Sequence, residues 1–181
     1  LDVQAESGDD VDIIIREAER TRKIVQGILN FSRKEKIERT ETDINQLVRS
    51  ATEAITDVNG SSKIRVDLDL DEDMAPHFVD ANQLRQVFDN ILKNAVEFMP
   101  DGGTISITTN EGAGEFFVKI ADTGPGIPSE NLSQMFSPFF TTKPVGKGTG
   151  LGLPVCYGIV KMHGGSIQAG NNPDGGAYFE I

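Results

Sequence analysis

Asn90 and Asn94 stand one helical turn apart in Asn90-Ile91-Leu92-Lys93-Asn94, so both carboxamides share a face. A carboxamide among apolar neighbours needs polar partners. Its oxygen is a neutral, hard donor suited to Mg²⁺, which keeps waters and phosphate oxygens as further ligands. A buried structural hydrogen-bond pair is the plainer reading of the same spacing. Asp122-Thr123-Gly124-Pro125-Gly126-Ile127 follows a strand-like run. A carboxylate there can accept a hydrogen bond from an exocyclic amine such as adenine's, and the glycines let backbone pass close to a flat ring. An ordinary Gly/Pro turn is the alternative. Phe136-Ser137-Pro138-Phe139-Phe140-Thr141-Thr142-Lys143 sets aromatics beside hydroxyls. That suits a hinged lid with an apolar anchor, or a satellite hydrophobic cluster under a long loop.

The fourth stretch, Gly146-Lys147-Gly148-Thr149-Gly150-Leu151-Gly152-Leu153, opens a helix. Gly-rich backbone at a helix N-terminus presents free N–H groups and the positive dipole end, which cradle phosphate. It is no Walker motif, because Gly148 follows Lys147. It is no dinucleotide fingerprint either, because it follows a loop and lies late in the chain.

The elements that must position these residues divide the chain near residue 38. Residues 9–33 read as one amphipathic helix, with Val11, Ile14, Ala18, Thr21, Val25 and Ile28 in steps of three and four. Such a stripe wants partner helices. The spacing predicts further helices over 44–55, 81–98 and 151–163, with a short one over 129–135. It predicts strands over 63–70, 104–109, 116–122, 166–169 and 178–181. Hairpin-length loops join several strands, so the expected fold class is α/β: a two-layer sandwich of a mixed sheet packed on helices, preceded by one long bundle-forming helix.

Composition narrows the function. The 181 residues are 38% hydrophobic and 25% charged, an ordinary globular balance. Net charge is −11, of which residues 1–40 contribute −1. An acidic protein of this kind argues against a general nucleic-acid binder. No apolar run approaches the ~20 residues of a membrane span. Cys156 is the single cysteine, which excludes an internal disulfide and a cysteine-cluster zinc site.

In their order, these motifs resemble the ATP-binding catalytic domain of bacterial sensor histidine kinases, within the GHKL ATPase superfamily and its Bergerat-type fold. The resemblance covers residues 41–181, and 136–165 look most like the nitrogen-regulation type. Residues 9–33 look like the second helix of a dimerisation and phosphotransfer hairpin. The expected domains are therefore a partial hairpin segment over 1–38 and a catalytic domain over 39–181.

The resemblance implies ATP and Mg²⁺ as cofactors. Asn94 would hold the metal and Asn90 would lie beside the phosphates. Asp122 would read adenine in a site shaped by Gly124, Gly126 and Ile127. Phe136, Phe139 and Phe140 would anchor the lid. Thr142, Lys143 and Lys147 would reach toward phosphate, and Gly148, Thr149, Gly150, Leu151 and Gly152 would cradle it. Ala177 stands where the family often has Thr. Hydrolytic relatives place a general-base Glu at the position of Asn90, and an amide cannot take a proton. The implied reaction is phosphoryl transfer to a protein histidine, with slow hydrolysis; Glu97 is a weaker candidate base.

His77 and His163 are the two histidines, and neither has an acceptor's sequence context. The acceptor is expected outside this chain. Implied partners are a response regulator receiver domain and a second copy through helix 9–33, with no nucleic acid and no membrane segment in this chain. The expected location is cytoplasmic, with anchoring of the parent protein left open. The competing reading is a non-catalytic dimerisation or response-regulator docking module with a vestigial nucleotide site. A third, a serine kinase acting on an anti-sigma-factor antagonist, sits poorly with a preceding helix.

Overall fold

The computed structural model describes residues 37–58, 63–144 and 148–181, with Val11, Ile15, Ala18 and Thr21 as isolated helical positions. The rest of the predicted 9–33 helix lies outside the described residues. The elements run β1 (Thr40–Thr42), α1 (Ile44–Val58), β2 (Ile64–Asp69), β3 (His77–Val79), α2 (Ala81–Phe98), β4 (Gly103–Gly112), β5 (Glu115–Asp122), α3 (Ser129–Leu132), α4 (Gly152–His163), β6 (Gln168–Asn171) and β7 (Ala177–Glu180).

Asp80 starts the helix that carries both asparagines. Its side chain accepts from the Gln83 amide, satisfying a donor that a helix N-terminus otherwise leaves open. Leu84, Val87, Phe88, Ile91, Leu92 and Ala95 then recur every three or four residues, and all are buried. Each large side chain so buried contributes ~1.5–3 kcal/mol of transfer free energy.

β4 supplies the opposing face. Ile105, Ile107 and Thr109 point inward, while Thr104, Ser106 and Thr108 alternate toward the other side. Val118 and Ile120 on β5 and Phe179 on β7 complete that surface, and all join the α2 residues in one core. The sheet order is β2-β4-β5-β7-β6. β2 runs parallel to β4 and the other neighbours are antiparallel, so the sheet is mixed as expected. α1, α2 and α4 share its core.

The structure adds β1 and β3, which pair antiparallel in a separate ribbon with Thr40 opposite Val79. His77, expected in a loop, therefore lies on a strand, its ring 4.9 Å from that of Phe116. The short helix expected to Met135 ends at Leu132.

Candidate functional site

A cavity of about 950 Å³ opens between α2, the end of β5 and the stretch leading into α4. Asp122 stands in its wall. The amides of Gly124 and Ala177 donate to Oδ1 at 2.8 and 3.1 Å, and Oδ2 accepts no hydrogen bond from the described residues. The carboxylate is thus aimed by backbone, with one oxygen spare for a ligand N–H. Ala177 contributes through its amide, so the missing threonine hydroxyl leaves this tie intact.

The backbone approach that makes this possible is very close. A Cβ on Gly176, where φ is +81°, would lie 1.8 Å from the Asp122 carbonyl oxygen. Only glycine fits. Asn171 fixes the neighbouring loop: its Oδ1 accepts from the Ile127 amide at 2.7 Å and its Nδ2 donates to the Ile127 carbonyl at 2.8 Å. It thereby imitates a paired strand residue and holds Gly126 and Ile127 in the cavity wall. Sequence reading passed over Asn171; its signal was an Asn pair before the Pro173-Asp174-Gly175 turn.

The two asparagines behave differently. Asn90 Nδ2 donates to the Gly152 carbonyl at 3.4 Å and faces Cys156 Sγ at 3.6 Å, so it ties α2 to the start of α4. Asn94 Oδ1 accepts from Lys143 Nζ at 2.9 Å. The same ammonium is paired with the Glu97 carboxylate and lies 5.3 Å from the centre of the Phe98 ring. Asn94 and Glu97 therefore already hold one cation between a neutral carbonyl and a carboxylate. Glu97 is engaged with Lys143 and is not a free base.

α4 begins without a side-chain cap. Pro154 sits in its first turn, where its missing N–H costs no helix bond. The opening amides and the positive dipole end are thus presented beside Gly148, Thr149, Gly150 and Gly152, all on the cavity wall.

Most of the sequence-predicted set converges here: Asn90, Asn94 and Asp122, Gly126 and Ile127, Phe140, Thr142 and Lys143, and those four loop residues. Three are displaced from the lining. Gly124 lies behind Asp122, where a Cβ would meet the carboxylate at 2.9 Å, so it orients rather than lines. Phe136 packs against the hydrophobic core, with its ring 5.7 Å from that of Tyr157. Leu151 is buried beneath the glycines. Phe139, read as an anchor, stands in the cavity wall with its side chain exposed, and has φ of +68°, strained for a non-glycine residue. Its amide donates to Gly150 O at 2.9 Å, which pins the loop's neck. Lys147 lies outside the described residues.

Cys156 is fully buried, and burial pushes its thiol up to about 12, only partly offset by Asn90. The thiolate is the reactive form, so at pH 8 on the order of one in ten thousand molecules is competent. Iodoacetamide labelling at that pH is expected to be negligible in the folded protein and complete after unfolding.

The comparisons with known proteins agree with the fold. The family described as histidine kinase-, DNA gyrase B-, and HSP90-like ATPase matches residues 79–181. The chain belongs to that family. It is 34% identical to the nucleotide-free catalytic domain of the histidine kinase ThkA, over 80% of this chain and 95% of that one, with a TM-score of 0.71. It is 35% identical to sporulation kinase E of Bacillus subtilis strain 168, over 93% of this chain but 23% of that protein. It is 30% identical to ThkA in a structure with the response regulator protein TrrA, over all of this chain and 52% of that one, with a TM-score of 0.78. The chain therefore carries a catalytic domain of the bacterial sensor histidine kinase kind, and spans about a quarter of sporulation kinase E. Among the described residues, no helix is long and apolar enough to cross a membrane.

Proposed function

We propose that residues 39–181 bind ATP in this cavity and transfer its γ-phosphoryl to a histidine outside this chain. The observation that carries the reading is the Asp122 carboxylate, held by two backbone amides in the wall of a cavity large enough for a nucleotide. Its spare oxygen suits the adenine amine. At the other end, the uncapped start of α4 and its glycines offer N–H groups to phosphate.

The donor set also fits Mg²⁺. Asn94 and Glu97 already hold the Lys143 ammonium where a second cation would find a carbonyl and a carboxylate. Mg²⁺ would neutralise phosphate charge there. Lys143, if released from Asn94, would supply a second positive charge to those phosphates, and Lys147 would do so by its place in the motif. Asn90 stands where a hydrolytic enzyme needs a base, and its amide is committed to Gly152. Catalysis is then mainly positioning and charge stabilisation, with water poorly activated.

The histidine-bearing partner would be reached through residues 1–38, as the second helix of a dimeric hairpin, and the phosphoryl would pass on to a response regulator receiver domain. The nitrogen-regulation type and a cytoplasmic location belong to the same proposal. Incubation with γ-labelled ATP, alone and with an added acceptor-bearing hairpin, tests it. Label is expected on the added fragment and not as stable phosphohistidine on this chain. Nucleotide binding without any transfer would favour the docking-module reading.

A further inference from the structure

His163 closes α4, and both of its ring nitrogens are engaged. The Asp80 amide donates to Nε2 at 3.0 Å, and Nδ1 lies 2.8 Å from the Ile159 carbonyl oxygen. An amide only donates and a carbonyl only accepts, so Nε2 serves as the acceptor and Nδ1 as the donor. Asp80 is equally committed. Its Oδ1 accepts from the Gln83 amide and its Oδ2 from the Glu38 amide, each at 3.1 Å. Arg39 then reaches across the chain: its Nη2 donates to the carbonyls of Met162 and His163 at 3.3 and 3.5 Å. The β1–β3 pairing begins at the next residue, with Thr40 opposite Val79.

These bonds converge where three segments meet: the chain entering the domain, the first turn of α2 and the last turn of α4. α2 carries Asn90 and Asn94, and α4 begins at Gly152, so both helices contribute to the cavity wall and are tied to each other at Asn90 and Gly152. We propose that His163, acting through Asp80, is a positioning residue. Together with Arg39 it clamps residues 38–42 and fixes where the preceding segment leaves the domain relative to the cavity. The consequence for transfer, a fixed approach of donor to acceptor, rests on the nucleotide reading. The clamp itself does not.

Hydrogen exchange of residues 37–42, measured beside the affinity for a non-hydrolysable ATP analogue, tests the clamp. In His163→Ala, amides of 38–42 are expected to exchange at least ten times faster. Amides of β4 and β5, and analogue affinity, are expected to stay within twofold. His163→Gln, whose Oε1 can accept from the Asp80 amide, is expected to restore most of the protection, which a loss of packing alone would not predict. Unchanged exchange at 38–42, or equal acceleration throughout β4 and β5, overturns the proposal. Should His163→Ala fail to fold, Arg39→Ala at its exposed position decides: confined acceleration supports the clamp and its absence removes it. A wild-type protein that binds no analogue would defeat the nucleotide reading while leaving the exchange result decisive for the clamp.

Discussion

Asp122→Asn is expected to weaken binding of a non-hydrolysable ATP analogue by on the order of 100-fold, with the fold intact. The asparagine oxygen can still accept from the Gly124 and Ala177 amides, which bond Oδ1 in the native protein. What changes is the other arm. An acceptor becomes an NH₂ group, so under the proposed reading a charge-assisted bond to the adenine amine would give way to two donors with no acceptor between them. Isothermal titration of both proteins, with and without Mg²⁺, reads the effect. An affinity within threefold of wild type would remove Asp122 from adenine recognition. In the same titrations, Asn94→Ala is expected to abolish the Mg²⁺-dependent part of the affinity and spare the remainder.

Gly176→Ala is expected to lower stability by about 3 kcal/mol or more, roughly 10 °C in melting temperature for a domain of this size. Two costs add. The left-handed conformation disfavours any Cβ, and here the Cβ would also overlap the Asp122 carbonyl at 1.8 Å. Relief requires the start of β7 to back away, carrying the Ala177 amide off Asp122 Oδ1, so nucleotide affinity should fall as well. Gly114→Ala is the control. Gly114 has a similar φ of +80° but nothing within 4 Å of its would-be Cβ, so only the conformational cost of ~1–2 kcal/mol applies. Thermal denaturation of the two variants separates clash from backbone preference. Equal melting temperatures would show that the hairpin accommodates the methyl without strain.

The legible parts of the fold were those whose cause is local. α2 could be delimited to Ala81–Phe98 because an Asp cap and an apolar period of three and four lie within the segment itself. β4 and β5 were visible from alternation and from the Gly/Asp turns around them. β1 and β3 were not. Each is three residues long, Thr40-Glu41-Thr42 carries no apolar signal, and their partners lie across the whole of α1 and β2 in the chain. Nothing local marks a strand stabilised by so distant a ladder.

The site divides in the same way. Each of the four motifs has an ordinary structural use, and it was their order along the chain that carried the resemblance to histidine kinase catalytic domains. Their division of labour was not legible. Gly124 and Gly126 are two residues apart in one motif, yet one sits behind a carboxylate and the other lines a cavity. Glu97, a weaker candidate base from its place one turn after Asn94, is paired with Lys143, 46 positions away in the chain. Asn171 was passed over because the backbone its amide holds, that of Ile127, lies 44 positions earlier in the chain.

The fold class and the family were thus legible in the sequence by itself, the first from periodicity and turn chemistry along the chain, the second from a resemblance carried by the order of its motifs. The tertiary structure alone decided which asparagine binds helix and which holds a cation, what aims Asp122, and how residues 38–42 are tied to His163. Those are pairings between segments far apart in sequence, and hydrogen bonds and ion pairs of that kind exist only once packing has brought their partners within about 3 Å.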